Sequence, residues 1–260
     1  MGIINLTPDS FSDGGETRTL SDLRGRIRQF LEEGVEILDV GAESTRPGAH
    51  PVPAKVQLLR LKPFLSLLHE IPVPVSVDTR SSVVARACLK EGVEIINDTS
   101  GGSFDPRMAD VVAEFSAVVI VMHMRGTPET MDGLAHYSDL FREIEGEWQF
   151  SRERFLRAGV PEERIWFDPG IGFAKTPSQS LSLLLGIERF SQNRIVVVGH
   201  SRKRVMGFVS GEKDPRRRDP VTAYFSFLLT LKGVSVIRVH EARMNRSFVN
   251  LANLLQHLLR

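Results

Sequence analysis

The sequence predicts an α/β fold, a closed (β/α)8 TIM barrel forming a single domain over residues 1–260, and three observations carry that expectation. Short β-branched runs alternate with longer amphipathic stretches along the chain, as parallel strands joined by helices do. A weak repeat punctuates the alternation: Glu33-Gly34-Val35-Glu36-Ile37 recurs as Glu91-Gly92-Val93-Glu94-Ile95, with looser copies at 158–160 and 232–234. Polar residues gather at the C-terminal ends of the predicted strands, where a buried parallel strand should be apolar.

In chain order, the β-branched runs place strands at 2–6, 37–41, 75–78, 94–98, 117–123, 165–168, 195–200 and 236–240. Helices are expected between them near 20–33, 53–69, 81–91, 106–115, 138–158, 178–190 and 220–232, with a last one at 246–259. Gly34, Gly92, Gly159 and Gly233 each stand where a helical pattern stops and a strand begins. A left-handed helix cap at that point wants a residue without a β-carbon. The four caps precede strands two, four, six and eight, and such regular βαβα quarters are what a closed barrel produces. An open doubly wound sheet also alternates, but it has no reason to stop at eight.

Composition narrows the function classes. Hydrophobic residues make up 42% of the 260 and charged ones 25%, which is ordinary globular usage with ample material for a large core. Lys plus Arg (33) nearly cancels Asp plus Glu (32), leaving a net charge of +1. A protein that neutralises nucleic-acid phosphates along a basic face would not be so balanced, so no nucleic-acid partner is expected. The single cysteine, Cys88, permits no intrachain disulfide and no cysteine-rich zinc site, and the expected location is cytoplasmic. Apolar runs such as 118–122 and 195–198 are too short to cross a bilayer, and no targeting signal is visible at the N-terminus.

The strand-end polar residues are Asn5, Asp39, Asp78, Asn97, Asp98, His123, Asp168, His200, Ser201, Arg238 and His240. In a barrel they converge on one mouth. The plainer reading is that each caps a helix or anchors a turn, but cations disfavour helix N-termini, so Arg238 and His240 weigh more toward a site. The turn-rich loops at 7–15 and 43–50 have the character of lids and offer little apolar surface to hold them down. Gly199-His200-Ser201-Arg202-Lys203-Arg204 follows strand seven, where barrels often bind phosphate, whereas Arg216, Arg217 and Arg218 read as a solvated surface run. Neither a Gly-x-Gly-x-x-Gly turn nor a Gly-Lys-Ser/Thr loop is present, so no dinucleotide or nucleoside triphosphate is suggested. His123 between Met122 and Met124 reads as packing before it reads as a metal ligand, and Cys88 falls mid-helix and is expected to be inert.

Gly2-Ile3-Ile4-Asn5-Leu6-Thr7-Pro8-Asp9-Ser10-Phe11-Ser12-Asp13-Gly14-Gly15 resembles the first signature of the dihydropteroate synthase family of pterin-binding enzymes. Asp39-Val40-Gly41-Ala42-Glu43-Ser44-Thr45-Arg46-Pro47-Gly48 resembles the second. Ser76-Val77-Asp78-Thr79, Ile96-Asn97-Asp98, Met122-His123-Met124-Arg125-Gly126-Thr127-Pro128, Asp168-Pro169-Gly170-Ile171-Gly172-Phe173, Ser201-Arg202-Lys203 and Arg238-Val239-His240 are similar to the remaining motifs, in order.

The resemblance implies a barrel enzyme that joins 6-hydroxymethyl-7,8-dihydropterin diphosphate to 4-aminobenzoate, giving dihydropteroate and pyrophosphate. It implies Asp168, Asp78, Asn97 and Lys203 on the pterin edges, with Arg238 beside them and Met122 and Phe173 as apolar walls. It implies Thr45, Arg46, Arg238 and His240 on the diphosphate, with Asn5 helping to hold Mg2+. For 4-aminobenzoate it implies Phe11, Thr45, Pro47, Ser201, Phe173 and Lys203. Asp78 is expected to stabilise a cation-like methylene as pyrophosphate leaves, and Lys203, Arg238 and His240 complete the catalytic set. The chain departs from the family pattern at Ala174, where a glycine is usual, and at His200, where a small residue is common; both bear on pocket shape. Tyr224, Phe225 and Phe227 replace small residues on the helix through which the family often forms a homodimer. The chain begins almost at strand one, so the family's N-terminal segment is expected to be short or missing. Two other readings are a pterin-binding module without turnover and the related methyltetrahydrofolate-binding methyltransferase.

Overall fold

A computed structural model describes residues 1–7, 20–191 and 194–259. Eight parallel strands run in chain order: β1 (Gly2–Asn5), β2 (Leu38–Gly41), β3 (Val75–Asp78), β4 (Ile95–Asp98), β5 (Val118–Met122), β6 (Ile165–Asp168), β7 (Val197–Val198) and β8 (Val236–Ile237). The first six form one continuous sheet and the last two pair with each other. Both seams are closed. Phe167 bridges to Val196 and Gly2 bridges to Val239, and Ile3 N–H donates to the Val239 carbonyl at 2.9 Å. The expected (β/α)8 barrel is therefore present, although β7 and β8 are shorter than the sequence runs 195–200 and 236–240 suggest. After Arg238 N–H meets the Val198 carbonyl, at 3.0 Å, the contact between these chains passes to side chains: Ser201 Oγ accepts from His240 N–H at 3.2 Å.

The connecting helices are α1 (Leu20–Glu32), α2 (Ala54–Leu65), α3 (Ser82–Lys90), α4 (Met108–Glu114), α5 (Leu140–Arg157) and α6 (Pro177–Leu185). They are followed by α7 (Arg204–Ser210), α8 (Asp219–Leu231) and α9 (Ala242–Leu258). The glycines read as caps adopt left-handed backbone, with φ of +77° at Gly34, +105° at Gly92, +93° at Gly159 and +81° at Gly233. The seven-residue α7 between β7 and α8 is an addition to the expected pattern. It is too short for its apolar residues to reveal a period in sequence.

Strand alternation sorts the residues into two cores. Leu38, Val40, Val75, Val77, Ile96, Val119, Val121, Phe167 and Val198 face outward into the main core beneath the helices. Ile37, Ile95, Val118, Ile120, Trp166, Val197 and Val236 fill the barrel interior. Outside the wall, Trp148 of α5 packs edge-on to Phe167 at 4.8 Å and donates its indole N–H to the Val121 carbonyl at 3.1 Å. That contact fixes α5 against β5 and β6, and with them the segment 168–175 that follows β6.

Within that segment the backbone runs unusually close to its neighbour. Gly170 has φ +67°, and a β-carbon built there would lie 2.0 Å from the His123 carbonyl oxygen. Gly48 has a similar φ of +79° but open space around it. Gly170→Ala should therefore cost clearly more than the roughly 1–3 kcal/mol of the left-handed conformation alone, while Gly48→Ala should stay within it. Chemical denaturation of both variants checks this, and equal losses would show that the close approach is relieved by a cheap shift.

Candidate active site

Alternation also decides which polar residues enter the barrel mouth. Asp39, Asp78, Asn97, Asp168 and Arg238 occupy positions in phase with the inward apolar residues of their strands. Arg238, at the end of β8, reaches across the interior: its Nε donates to Asp39 Oδ2 at 2.6 Å and its Nη2 to Asp78 Oδ2 at 3.0 Å. Asn97 Nδ2 lies 3.4 Å from the same Asp39 oxygen. Two carboxylates against one guanidinium leave an excess of negative charge in a dry place. Burial pushes Asp78 up to about 7, with Arg238 opposing and Asp39 and Glu43 adding to the rise.

The opposite wall is the segment after β6. Asp168 is 6% exposed and accepts the Gly170 N–H at 2.7 Å, and burial raises its pKa while Lys203 opposes the rise. Lys203 points inward over the Phe173 ring, 4.4 Å from its centre, and donates to the Ile171 carbonyl at 2.6 Å. Burial lowers Lys203 to about 8. Phe173 clusters with Met122, Met131 and Ala174, a flat apolar surface beside a carboxylate and an ammonium. Ala174 itself holds φ +48°, a conformation that glycine reaches without strain.

At the rim, Ser201 and His240 meet through Oγ and Nδ1 at 3.0 Å. Burial pushes His240 down to about 3, with Arg202, Arg238, Arg46 and Lys203 adding to the effect. The imidazole is a neutral hydrogen-bonding group here and not one of the cations. The loop after β2 is tied down more firmly than its composition suggested. Glu43 and Arg80 form a buried pair at 3.0 Å, Glu43 also accepts the Val52 N–H at 2.8 Å, and Gly48 N–H reaches the Pro128 carbonyl at 2.8 Å. Arg46 and Pro47 are left exposed at its tip, with Thr45 half-buried beside them. Phe11 and the rest of 8–19 lie outside the described residues.

Among the described residues no three His, Cys, Asp or Glu side chains are grouped to hold a metal. What the mouth offers is Asn5: its Oδ1 and the Asp78 carboxyl carbon each lie 3.9 Å from where a β-carbon on Gly41 would stand. One amide oxygen beside a carboxylate suits a hard cation that arrives with most of its oxygen ligands on a diphosphate, as Mg2+ does.

Residues 1–240 match the family model described as Pterin binding enzyme. The chain belongs to this family. Over 98% of its length this pterin-binding enzyme is 37% identical to the dihydropteroate synthase of Synechocystis sp., covering 89% of that protein. It is 38% identical over 99% of its length to the folic acid synthesis protein fol1 of Schizosaccharomyces pombe, of which it spans only 36%. A solved Xanthomonas albilineans dihydropteroate synthase with 4-aminobenzoic acid superposes with a TM-score of 0.91 at 33% identity, over 98% of this chain and 92% of that one.

Several residues of this pterin-binding enzyme stand elsewhere than the sequence placed them. His200 is fully buried and faces α8, with Nε2 on the Thr222 carbonyl at 2.9 Å, so it belongs to the layer outside the barrel and does not shape the mouth. Asp98 is likewise out of phase with Asn97, and its carboxylate takes the Ser100 and Gly102 N–H groups at 2.8 and 2.7 Å. Arg218 is not a solvated charge, since its guanidinium binds the Glu212, Arg202 and Lys213 carbonyls and braces the turn that presents Lys203. Arg202 pairs with Asp219 at 2.6 Å, leaving Lys203 as the inward member of its run. His123 is polar-bonded rather than merely packed, to Glu147 and to Lys175. Cys88 lies within helix α3, as expected, and is fully buried, its thiol pushed up to about 12. Asp39 received no role from its sequence position, although the inward phase of β2 was a signal that could have assigned one.

Asp39→Asn should remove one of the two carboxylates that hold Arg238. Because Asp78 remains, the loss should fall below the roughly 3–5 kcal/mol of a fully broken buried pair, at about 2 kcal/mol. Thermal or chemical denaturation measures it, and wild-type stability in D39N would mean that Arg238 needs Asp78 alone.

Proposed function

We propose that this chain is a dihydropteroate synthase that condenses 6-hydroxymethyl-7,8-dihydropterin diphosphate with 4-aminobenzoate, yielding 7,8-dihydropteroate and pyrophosphate. The observation that carries the reading is the pairing of two unlike walls in one mouth. Asp168, Asn97 and Asp78 with Lys203 face a flat apolar surface of Phe173 and Met122, while Arg46 and His240 stand at the rim. The first wall matches a pterin, whose amino and ring N–H edge wants carboxylates and whose carbonyl wants a donor. The rim supplies what a leaving diphosphate needs, and pterin binding without turnover has no use for it.

In this reading Asp168 accepts from the pterin amino edge, Asn97 and Lys203 complete the ring contacts, and Phe173 and Met122 cover its faces. Thr45, Arg46 and His240 donate to the diphosphate. Arg238 holds Asp78 and Asp39 and acts on the diphosphate mainly through its field, because Nε and Nη2 are already engaged. The bond from the pterin methylene to the diphosphate oxygen breaks as electron density flows from the ring, and the amine of 4-aminobenzoate forms the new carbon–nitrogen bond and passes a proton to the departing pyrophosphate or to water. Ionised Asp78 stabilises the positive charge that develops on the ring system. Bound Mg2+, held by Asn5 and the substrate's own oxygens, would offset charge on the departing pyrophosphate. Thr45, Pro47, Phe11 and Ser201 with Phe173 and Lys203 would surround the 4-aminobenzoate. Exposed Tyr224, Leu251 and Leu254 on the packed pair α8 and α9 support a homodimer.

Pyrophosphate release should require Mg2+ and both substrates and match pteroate formation one to one. Asp168→Asn should turn an acceptor into a donor facing a donor and weaken pterin binding about tenfold to a hundredfold, from a charge-assisted bond of roughly 1.5–3 kcal/mol. Binding of pyrophosphate with Mg2+ should change little. A protein that binds pterin and Mg2+ yet releases no pyrophosphate with any substrate combination would be the binding module instead.

The rate should also carry a narrow pH optimum. Asp78 must be ionised, so kcat/KM rises as pH passes its value of about 7, and Lys203 must be charged, so it falls as pH passes about 8. Lys203→Arg should remove the alkaline limb whatever it costs in rate. A profile flat from about pH 6 to about pH 9 would contradict both assignments.

A further inference from the structure

Behind the wall formed by Phe173, between β5 and α5, lies a polar cluster that the proposed reaction does not use. Lys175 is 2% exposed, and its Nζ donates to the Phe173 carbonyl and to His123 Nδ1, both at 2.9 Å. With Nδ1 accepting, His123 carries its proton on Nε2 and donates it to Glu147 at 3.0 Å. Burial of His123, with Lys175 adding to the effect, favours this neutral form. Glu147 is gripped in turn by Arg125, which stacks on the Tyr137 ring at 4.0 Å. Tyr137 closes the circuit by donating its hydroxyl to the Ala174 carbonyl at 3.1 Å.

The segment needs such partners because its own backbone supplies few. Gly170, Gly172 and Ala174 all have positive φ, at +67°, +79° and +48°, and this alternation prevents any regular ladder. Gly170 accepts the Phe173 N–H at 3.0 Å, and the next carbonyls go to side chains: Ile171 to Lys203, Phe173 to Lys175 and Ala174 to Tyr137. Lys203 grips from inside the pocket. Lys175 and Tyr137 grip from behind, on either side of the strained Ala174.

We propose that Lys175 and Tyr137 are positioning residues for pterin recognition: by holding the Phe173 and Ala174 carbonyls from outside the barrel, they fix the Phe173 ring against the face of the pterin whose amino edge Asp168 reads. The proposal rests on the pterin reading of the pocket. A residue that acts only on stability would lower the melting temperature and weaken every ligand together. A positioning residue changes the ratio of two affinities. The test is calorimetric titration of the wild type, Lys175→Met, Tyr137→Phe and Asp168→Asn with 6-hydroxymethylpterin and, separately, with pyrophosphate and Mg2+.

Lys175→Met should weaken the pterin about tenfold and Tyr137→Phe about threefold, with pyrophosphate affinity within about twofold of wild type in both. Unchanged pterin affinity, or parallel loss of both ligands, would overturn the proposal. If Lys175→Met does not fold, Tyr137→Phe decides alone, since it deletes one hydroxyl and keeps the ring that Arg125 covers. Failure of the pocket reading is distinguishable, because it appears as no pterin binding by the wild type or as undiminished binding by Asp168→Asn. It would overturn this proposal as well.

Discussion

The reach of Arg238 from the last strand to Asp39 and Asp78 is the interaction on which the barrel and its mouth both depend. β8 has a two-residue ladder with β7, and toward β1 Val239 exchanges backbone hydrogen bonds with Met1 and Ile3, so backbone pairing holds its two edges but does not tie it across the interior. A guanidinium spanning to β2 and β3 fixes the end of that strand from the opposite side of the interior. Such a triad is no guarantee of stability, because the desolvation of three charges can exceed their attraction. What it secures is register, since only one placement of β8 puts both nitrogens of a planar fork on carboxylates from two different strands.

The same triad sets the electrostatics. Burial raises Asp78, with the neighbouring Asp39 and Glu43 adding to the rise against Arg238, and on the facing wall burial raises Asp168 and lowers Lys203. His240 at the rim is neutral first because it is buried, with Arg202, Arg238, Arg46 and Lys203 adding to the effect. The mouth therefore holds two raised acids, Asp78 and Asp168, and two lowered bases, Lys203 and His240. An anionic ligand entering near the rim would favour the charged forms of Lys203 and His240, so binding and protonation are coupled in the direction that strengthens both.

Much of this was legible in the sequence because it depends on rules local to the chain. Gly34, Gly92, Gly159 and Gly233 marked the helix ends, and the β-branched runs marked every strand. What escaped depends on phase and on distance. Asp98 and Asn97 are neighbours and both polar, yet one faces the helices and the other the interior, and a one-residue difference decides which. His200 follows the same parity, two residues after the outward Val198. Arg218 looked like its exposed neighbour Arg217, and only the fold brings the carbonyls of Arg202 and Lys213 around it. Lys175 carried no signal at all, since the partner that makes it interpretable, His123, is 52 residues away.

Parity also places two glycines at the mouth. Gly41 and Gly199 are inward positions near the strand ends. A β-carbon at Gly199 would meet Arg238 Cδ at 3.8 Å and Lys203 Nζ at 3.9 Å, and one at Gly41 would meet Asp78 Cβ at 3.4 Å. Those are ordinary contacts, and neither glycine has positive φ. The protein's own packing therefore does not require glycine at either place, in contrast to Gly170, where it does. Two strands simply end without a side chain where their neighbours carry Asp78, Asn97, Asp168 and Arg238, so the inward groups of the remaining strands make up the mouth.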